Sequence, residues 1–347
     1  DWSEWIESLL RSGNRVVAPV AESDRLRLFR PVSSAESIAI DGYDNARWSP
    51  KEYLFPTTEK LFSFQFIGNN VQIEGPSADE QGQVLLGVRP CDAAGLSRLD
   101  DVFLGDTEDP FHANRRRRTA VVSLGCSSAM PQCFCTAVGG SPQGVEGSDI
   151  QVLQNKETWL LSTVTAKGEE LIANATGEWT VATDDGWVTV DEIRVAVEQS
   201  IKGNVVPLEW AETLEKSFSD DVWNTLGDRC LSCGICAYVC PSCSCFDMSD
   251  DGNAYCGERC RSWDSCTFAQ FTQHSTGHNP RKNQPERYRQ RVMHKFAYFP
   301  LDQGDNFMCV GCGRCTALCP VGLDIRHSVQ TAVGAAAPGG AAPAGDA

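Results

Sequence analysis

Apolar side chains at Trp2, Trp5, Ile6, Leu9 and Leu10 recur at helical spacing, and Gly13 follows as a C-terminal cap. The chain therefore opens with an amphipathic helix. Residues 15–20, 25–29, 60–66 and 71–74 read as short strands separated by turn residues. Phe62, Phe64 and Phe66 alternate with Ser63 and Gln65, which predicts a strand with one face in the core. An apolar run at 84–88 ends in Arg89-Pro90-Cys91-Asp92, a helical stretch covers 93–104, and a second run at 120–124 ends in Gly125-Cys126. Such a strand–helix–strand unit predicts two parallel strands joined by a right-handed crossover, with both C-terminal ends on one sheet edge. Cys91 and Cys126 then share that edge, where α/β sheets place their sites. Further strands and a short helix are expected over 157–181, a helix over 190–201 and one long amphipathic helix over 208–226. The closing AAAPGGAAPAGDA is low in complexity, and 331–347 are expected to be a disordered tail.

At 347 residues the chain has room for two or three domains, each with its own core. Apolar content of 41% and charged content of 22% are those of a globular protein. With 30 Lys+Arg against 46 Asp+Glu the net charge is −16, which argues against nucleic acid as a partner despite the basic run at Arg115–Arg118. No apolar run reaches membrane-spanning length and no secretory signal is visible, so a cytoplasmic location is expected.

The 17 cysteines change the picture most. An odd number cannot all pair, and a chain this long needs no disulfide framework. Thirteen of them lie between Cys230 and Cys319, which points to metal chemistry in a reducing compartment. Two copies of one pattern stand out: Cys230-x2-Cys233-x2-Cys236-x3-Cys240-Pro241 and Cys309-x2-Cys312-x2-Cys315-x3-Cys319-Pro320. This is the bacterial ferredoxin spacing for [4Fe–4S] clusters, in which the fourth Cys of each copy ligates the other cluster. The expected ligands are Cys230, Cys233, Cys236 and Cys319 for one cluster, and Cys309, Cys312, Cys315 and Cys240 for the other. Gly234, Gly311 and Gly313 let backbone approach the clusters. Zinc sites use pairs of Cys-x2-Cys rather than three plus one.

The copies are offset by 79 residues, too far for a compact ferredoxin, which points to a helical ferredoxin domain with an insert. Within it, Arg281, Lys282, Arg287, Arg289, Arg291 and Lys295 face a single Glu286, a stretch that either offsets cluster charge or is a solvated helix face. Cys91, Cys126, Cys133 and Cys135 form a candidate third cluster site. Cys243, Cys245, Cys256, Cys260 and Cys266 remain and read as structural thiols, although the group around Cys243, Cys245 and Cys266 also motivates direct reduction of sulfur or a disulfide.

The segments GVRPCDAAGLSRLD, CFCTAVGG, CLSCGICAYVCPSCSCFD, RSWDSCTFAQFTQHSTGHNPR, RYRQRVMHKFAYFP and CVGCGRCTALCPVGLDIR resemble the beta subunits of soluble hydrogenase/sulfur reductase (sulfhydrogenase) complexes. The likeness spans residues 84–326, with 149–215 contributing little, and extends to the A subunit of anaerobic sulfite reductase and to flavin-oxidoreductase subunits feeding heterodisulfide reductase. It implies an iron–sulfur electron relay, in a hetero-oligomer, between a flavin subunit that handles NAD(P)H and a catalytic subunit such as a [NiFe] hydrogenase/sulfur reductase. Cys256 and Cys260 lie outside the recognised pattern. No Walker loop and no G-x-G-x-x-G fingerprint is present, so neither flavin nor NAD is expected in this chain. The expected fold class is α+β: an N-terminal mixed α/β domain over 1–206, then an α-helical ferredoxin-like domain over 207–330 carrying two [4Fe–4S] motifs.

Overall fold

The computed structural model describes residues 2–76, 81–155, 158–176, 179–201, 203, 206–304 and 306–336. Helix α1 (Trp2–Arg11) buries Trp5, Ile6 and Leu9 and stops at Gly13, whose φ of +85° is open to glycine without strain. Strands β1 (Arg15–Ser23) and β2 (Leu26–Pro31) form a hairpin, followed by a second from β3 (Thr58–Ile67) and β4 (Asn70–Glu74). Then come β5 (Gln83–Val88), α2 (Pro90–Phe103), α3 (Pro110–Arg118) and β6 (Thr119–Leu124). Strands β7 (Ile150–Asn155) and β8 (Thr158–Thr163) and helices α4 (Ala166–Ala173) and α5 (Asp184–Ser200) complete the N-terminal half.

One sheet has the order β2-β1-β5-β6-β7-β8, parallel from β1 to β7 and antiparallel at both edges. Its central strands β5 and β6 are buried along their whole length, as their unbroken apolar runs require of strands covered on both faces. Val84, Leu85, Leu86, Val121 and Val122 are each essentially inaccessible, and such side chains contribute about 1.5–3 kcal/mol apiece. The parallel β5–α2–β6 unit is the one expected from the sequence.

The C-terminal half begins with α6 (Trp210–Lys216) and α7 (Val222–Gly227). The single helix expected over 208–226 is thus broken. Buried Ser217 turns its hydroxyl back to the Leu214 carbonyl at 2.6 Å, and its own carbonyl accepts from Trp223 Nε1 at 2.8 Å. After α8 (Ile235–Tyr238), strands β9 (Phe246–Gly252) and β10 (Cys256–Trp263) interrupt the helices, so the dicluster segment is not purely α-helical. Strand β10 pairs with β3 in a second, antiparallel sheet ordered β4-β3-β10-β9, which joins chain segments from both sides of residue 206. Helix α9 (Gln284–Met293), a π-turn at His294–Tyr298, α10 (Phe299–Gln303), α11 (Arg314–Ala317) and α12 (Ile325–Ala336) follow.

Two further expectations are corrected. Phe62 and Phe64 are only half-buried and Phe66 is 48% exposed, because among the described residues no element packs closely over that stretch of β3. The tail expected to be disordered from 331 starts instead as helix α12, which buries Ala332 and Val333; residues 337–347 lie outside the described residues. Three arginines of the basic run at 115–118 are taken up by carboxylates: Arg115 by Glu59, Arg116 by Asp100 and Arg117 by Glu108. No described helix is long and apolar enough to cross a membrane.

Candidate iron–sulfur sites

The two cysteine motifs fold alike because their sequences are alike. In each, the three-cysteine run wraps through a glycine with positive φ (Gly234 at +73°, Gly313 at +73°) that caps a one-turn helix, α8 or α11. The two short helices pack together, which brings the fourth cysteine of each motif toward the other. Cys230, Cys233, Cys236 and Cys319 line one pocket, with Cys315, Tyr288 and Arg291 in its wall. Cys240 lies among the second motif's thiols, close enough to interact electrostatically with Cys309 and Cys312.

Cys91 and Cys126 stand at the C-terminal ends of β5 and β6, on one sheet edge. Cys91 falls in the first turn of α2, started by Pro90, and Cys126 is held by its N–H bond to the Pro142 carbonyl at 2.9 Å. The loop carrying Cys133 and Cys135 closes over them. The four thiols line one pocket, and Cys312 of the second motif shares its wall. Arg89 also lines it and favours the Cys126 thiolate, while its guanidinium donates to the carbonyls of Asp44 at 2.8 Å and Gly125 at 2.9 Å and stacks on Tyr43.

The N-terminal site and the second motif are joined at close quarters. Phe134 N–H donates to the Gly311 carbonyl at 2.8 Å. A Cβ on Gly311 would stand 2.5 Å from the Cys135 backbone, and one on Gly313 would stand 2.4 Å from the Gln132 carbonyl oxygen. Both glycines therefore admit the neighbouring loop, a role beyond the cluster approach expected from sequence. Asp92 beside Cys91 pairs with Arg314 beside Cys315 through two bonds of 2.5 and 2.7 Å, both side chains buried. Burial opposes the Arg314 charge, but Asp92 and the Cys312 thiol hold its pKa above the ordinary arginine value.

The basic insert is not a solvated face. Arg287, Arg291 and Lys295 recur every four residues and all are buried. Arg287 ties down the carbonyls of Thr267, Arg281 and Lys282, while Lys295 Nζ lies 3.4 Å from Cys240 Sγ. Arg291 faces Cys236 and Cys315, which hold its pKa up against the cost of burial. Burial pushes the Cys236 thiol up to about 11 and those of Cys135 and Cys309 up to about 12. Thiols so placed ionise when a metal displaces the proton, and the buried cations then stabilise the anionic product. Among the described residues no three His, Cys, Asp or Glu side chains close around a single metal ion. Two of the three donor sets each gather four thiols around one shared pocket, as a polynuclear cluster needs.

Sequence reasoning missed Lys51, whose segment carries no motif. Its ammonium reaches the Ala237 and Cys243 carbonyls at 3.0 and 2.9 Å. Cys256 is exposed and Cys260 half-buried, both on β10.

A family model described as a 4Fe-4S dicluster domain matches residues 229–323. Over 319 residues, covering 91% of both proteins, the chain is 30% identical to sulfhydrogenase 2 subunit beta of Pyrococcus furiosus. The chain belongs to the sulfhydrogenase beta-subunit family. No solved structure matches it. Membership of this family of iron–sulfur subunits of multi-subunit oxidoreductases gives the chain an iron–sulfur electron-transfer role.

Proposed function

We propose that this chain is a three-cluster relay. In this reading Cys230, Cys233, Cys236 and Cys319 hold one [4Fe–4S] cluster, Cys309, Cys312, Cys315 and Cys240 a second, and Cys91, Cys126, Cys133 and Cys135 a third. Electrons pass singly between a flavin subunit that handles NAD(P)H and a hydrogenase/sulfur reductase catalytic subunit. Flavin and nucleotide belong to the partner, and the complex works in the cytoplasm. The observation that carries this is contiguity: Cys312 lines the third ring as well as belonging to the second motif, and Cys315 lines the first. The second motif thus abuts both other sites, as a wire requires. When bound, the clusters supply reversible one-electron chemistry. The protein's residues supply ligands, buried cations (Arg291, Lys295) that favour the reduced state, and a packed apolar surround that excludes water.

Anaerobic purification of the native complex, with subunit identification, tests the reading. Iron of at least about 12 per chain and NAD(P)H-dependent reduction of the chain only with the flavin partner present are expected, since each cubane carries about four irons. Stoichiometric flavin with NADH-dependent dye reduction by the isolated chain, or zinc in place of iron, overturns it.

A further inference from the structure

Three of the five cysteines outside the three rings are gathered at one place. The β9–β10 hairpin begins directly after Cys245 and ends just before Cys266. Its last pair, Trp263 opposite Phe246, and the Asp264 N–H bond to the Cys245 carbonyl at 3.0 Å bring those two cysteines together. Cys245 lies within hydrogen-bonding reach of Cys266, and Cys243 within reach of Cys240. Cys240, Cys243 and Cys266 are buried and Cys245 is half-buried.

The charges around this group are the second observation. Lys51 is 2% exposed and Lys295 3%, and among the described residues neither has a carboxylate within ion-pair distance. Lys51 Nζ is held by two carbonyls and lies 4.1 Å from the centre of the Trp263 ring. Lys295 Nζ meets Cys240 Sγ and, at 3.1 Å, Ser242 Oγ. Arg291 is buried, interacts with Cys243 and Cys266, and leaves Nη1 without a hydrogen-bond partner. Arg291 and Lys295 also serve the two motif clusters, but Lys51, whose charge burial disfavours, would have no counter-charge beside neutral thiols, a costly arrangement. Thiolates bound to a metal cluster supply the missing negative charge. Buried Ser242, Ser265 and Thr267 provide hydroxyls at the same spot, the kind of donors that hydrogen-bond to cluster sulfurs.

We propose that Cys243, Cys245 and Cys266 hold a further iron–sulfur cluster, bordered by Cys240, which stays with the second motif. This goes beyond the three-cluster relay. The site adjoins the middle cluster of that relay, so it forms a branch rather than an extension of either end.

Native mass spectrometry of the anaerobically purified full chain, with iron and sulfide analysis, is the test. The expected mass exceeds that of three cubanes by about two to four irons with matching sulfide. The triple variant Cys243→Ser, Cys245→Ser, Cys266→Ser is expected to lose only that increment. Should that variant fail to fold, the wild-type mass still decides, and Lys51→Met, which keeps every ligand, is expected to move one cluster's midpoint potential negative. A wild-type mass equal to three cubanes, zinc at this site, or potentials unmoved by Lys51→Met overturns the proposal. Three cubanes and no more would leave the relay reading intact, whereas a chain without iron would sink both.

Discussion

Asp92→Ala strands a guanidinium where water cannot follow. Asp92 is fully buried, Arg314 is 2% exposed, and the pair meets through two bonds. The other partners of Arg314, the Ala46 carbonyl at 2.8 Å and the Asn45 side chain, are neutral. Removing one member of a buried pair costs about 3–5 kcal/mol, because the remaining charge loses its carboxylate partner. With a urea dependence of about 3 kcal/mol per molar, that loss lowers the unfolding midpoint by about 1–2 M. Asp92→Asn keeps an acceptor without the charge and is expected to fall between. Asp92→Leu combined with Arg314→Met removes both charges and is expected to recover most of the loss, since apolar replacement of a whole buried pair is close to neutral. The assay is urea unfolding of the anaerobically purified chain, with iron content measured alongside. Cys91 adjoins Asp92, so iron should leave the N-terminal site first in the single variant. An Asp92→Ala midpoint within about 0.2 M of wild type, or single and double variants equally destabilised, would refute the reasoning.

Cys319→Ala is expected to alter the cluster bound by the first motif, because Cys319 lines that pocket; electron paramagnetic resonance showing the change on the Cys309 cluster instead would contradict the crossed arrangement. Gly311→Ala places a Cβ against the Cys135 backbone at a φ of +66° and is expected to cost upwards of about 1 kcal/mol and to lower iron at the N-terminal site, as read by iron analysis. His294 is held neutral by burial, with Lys295 and Arg281 nearby, and its pKa is pushed down to about 4. The unfolded chain therefore binds this proton first as pH falls through 6.5, and stability present above that pH is lost toward 4. By pH 5 the loss is about 2 kcal/mol, and His294→Gln should remove that part of the pH dependence in urea midpoints measured from pH 7 to 5.

Local pattern determined much of this protein by itself. The amphipathic opening helix, the buried parallel strands β5 and β6 and the two ferredoxin motifs are all set by residues near one another in the chain. For them, spacing alone decides which side chains share a face or a turn. Even the common edge of Cys91 and Cys126 followed from sequence, because a parallel crossover has one handedness. Tertiary structure decided the rest, wherever an outcome depended on what packs opposite. Phe62, Phe64 and Phe66 alternate like a core strand, yet they are at best half-buried; the insert's charges could have been a solvated face or an offset to cluster charge, and only the fold turns Arg291 and Lys295 inward to thiols. The Asp92–Arg314 pair spans 222 residues and the Lys51 bond to Cys243 spans 192, separations at which no local periodicity carries information. Cys243, Cys245 and Cys266 likewise became a group only when β10 closed on β9. Burial removes water as the partner of each charge, so the counter-charge must come from elsewhere in the fold, and only the folded chain shows where it lies.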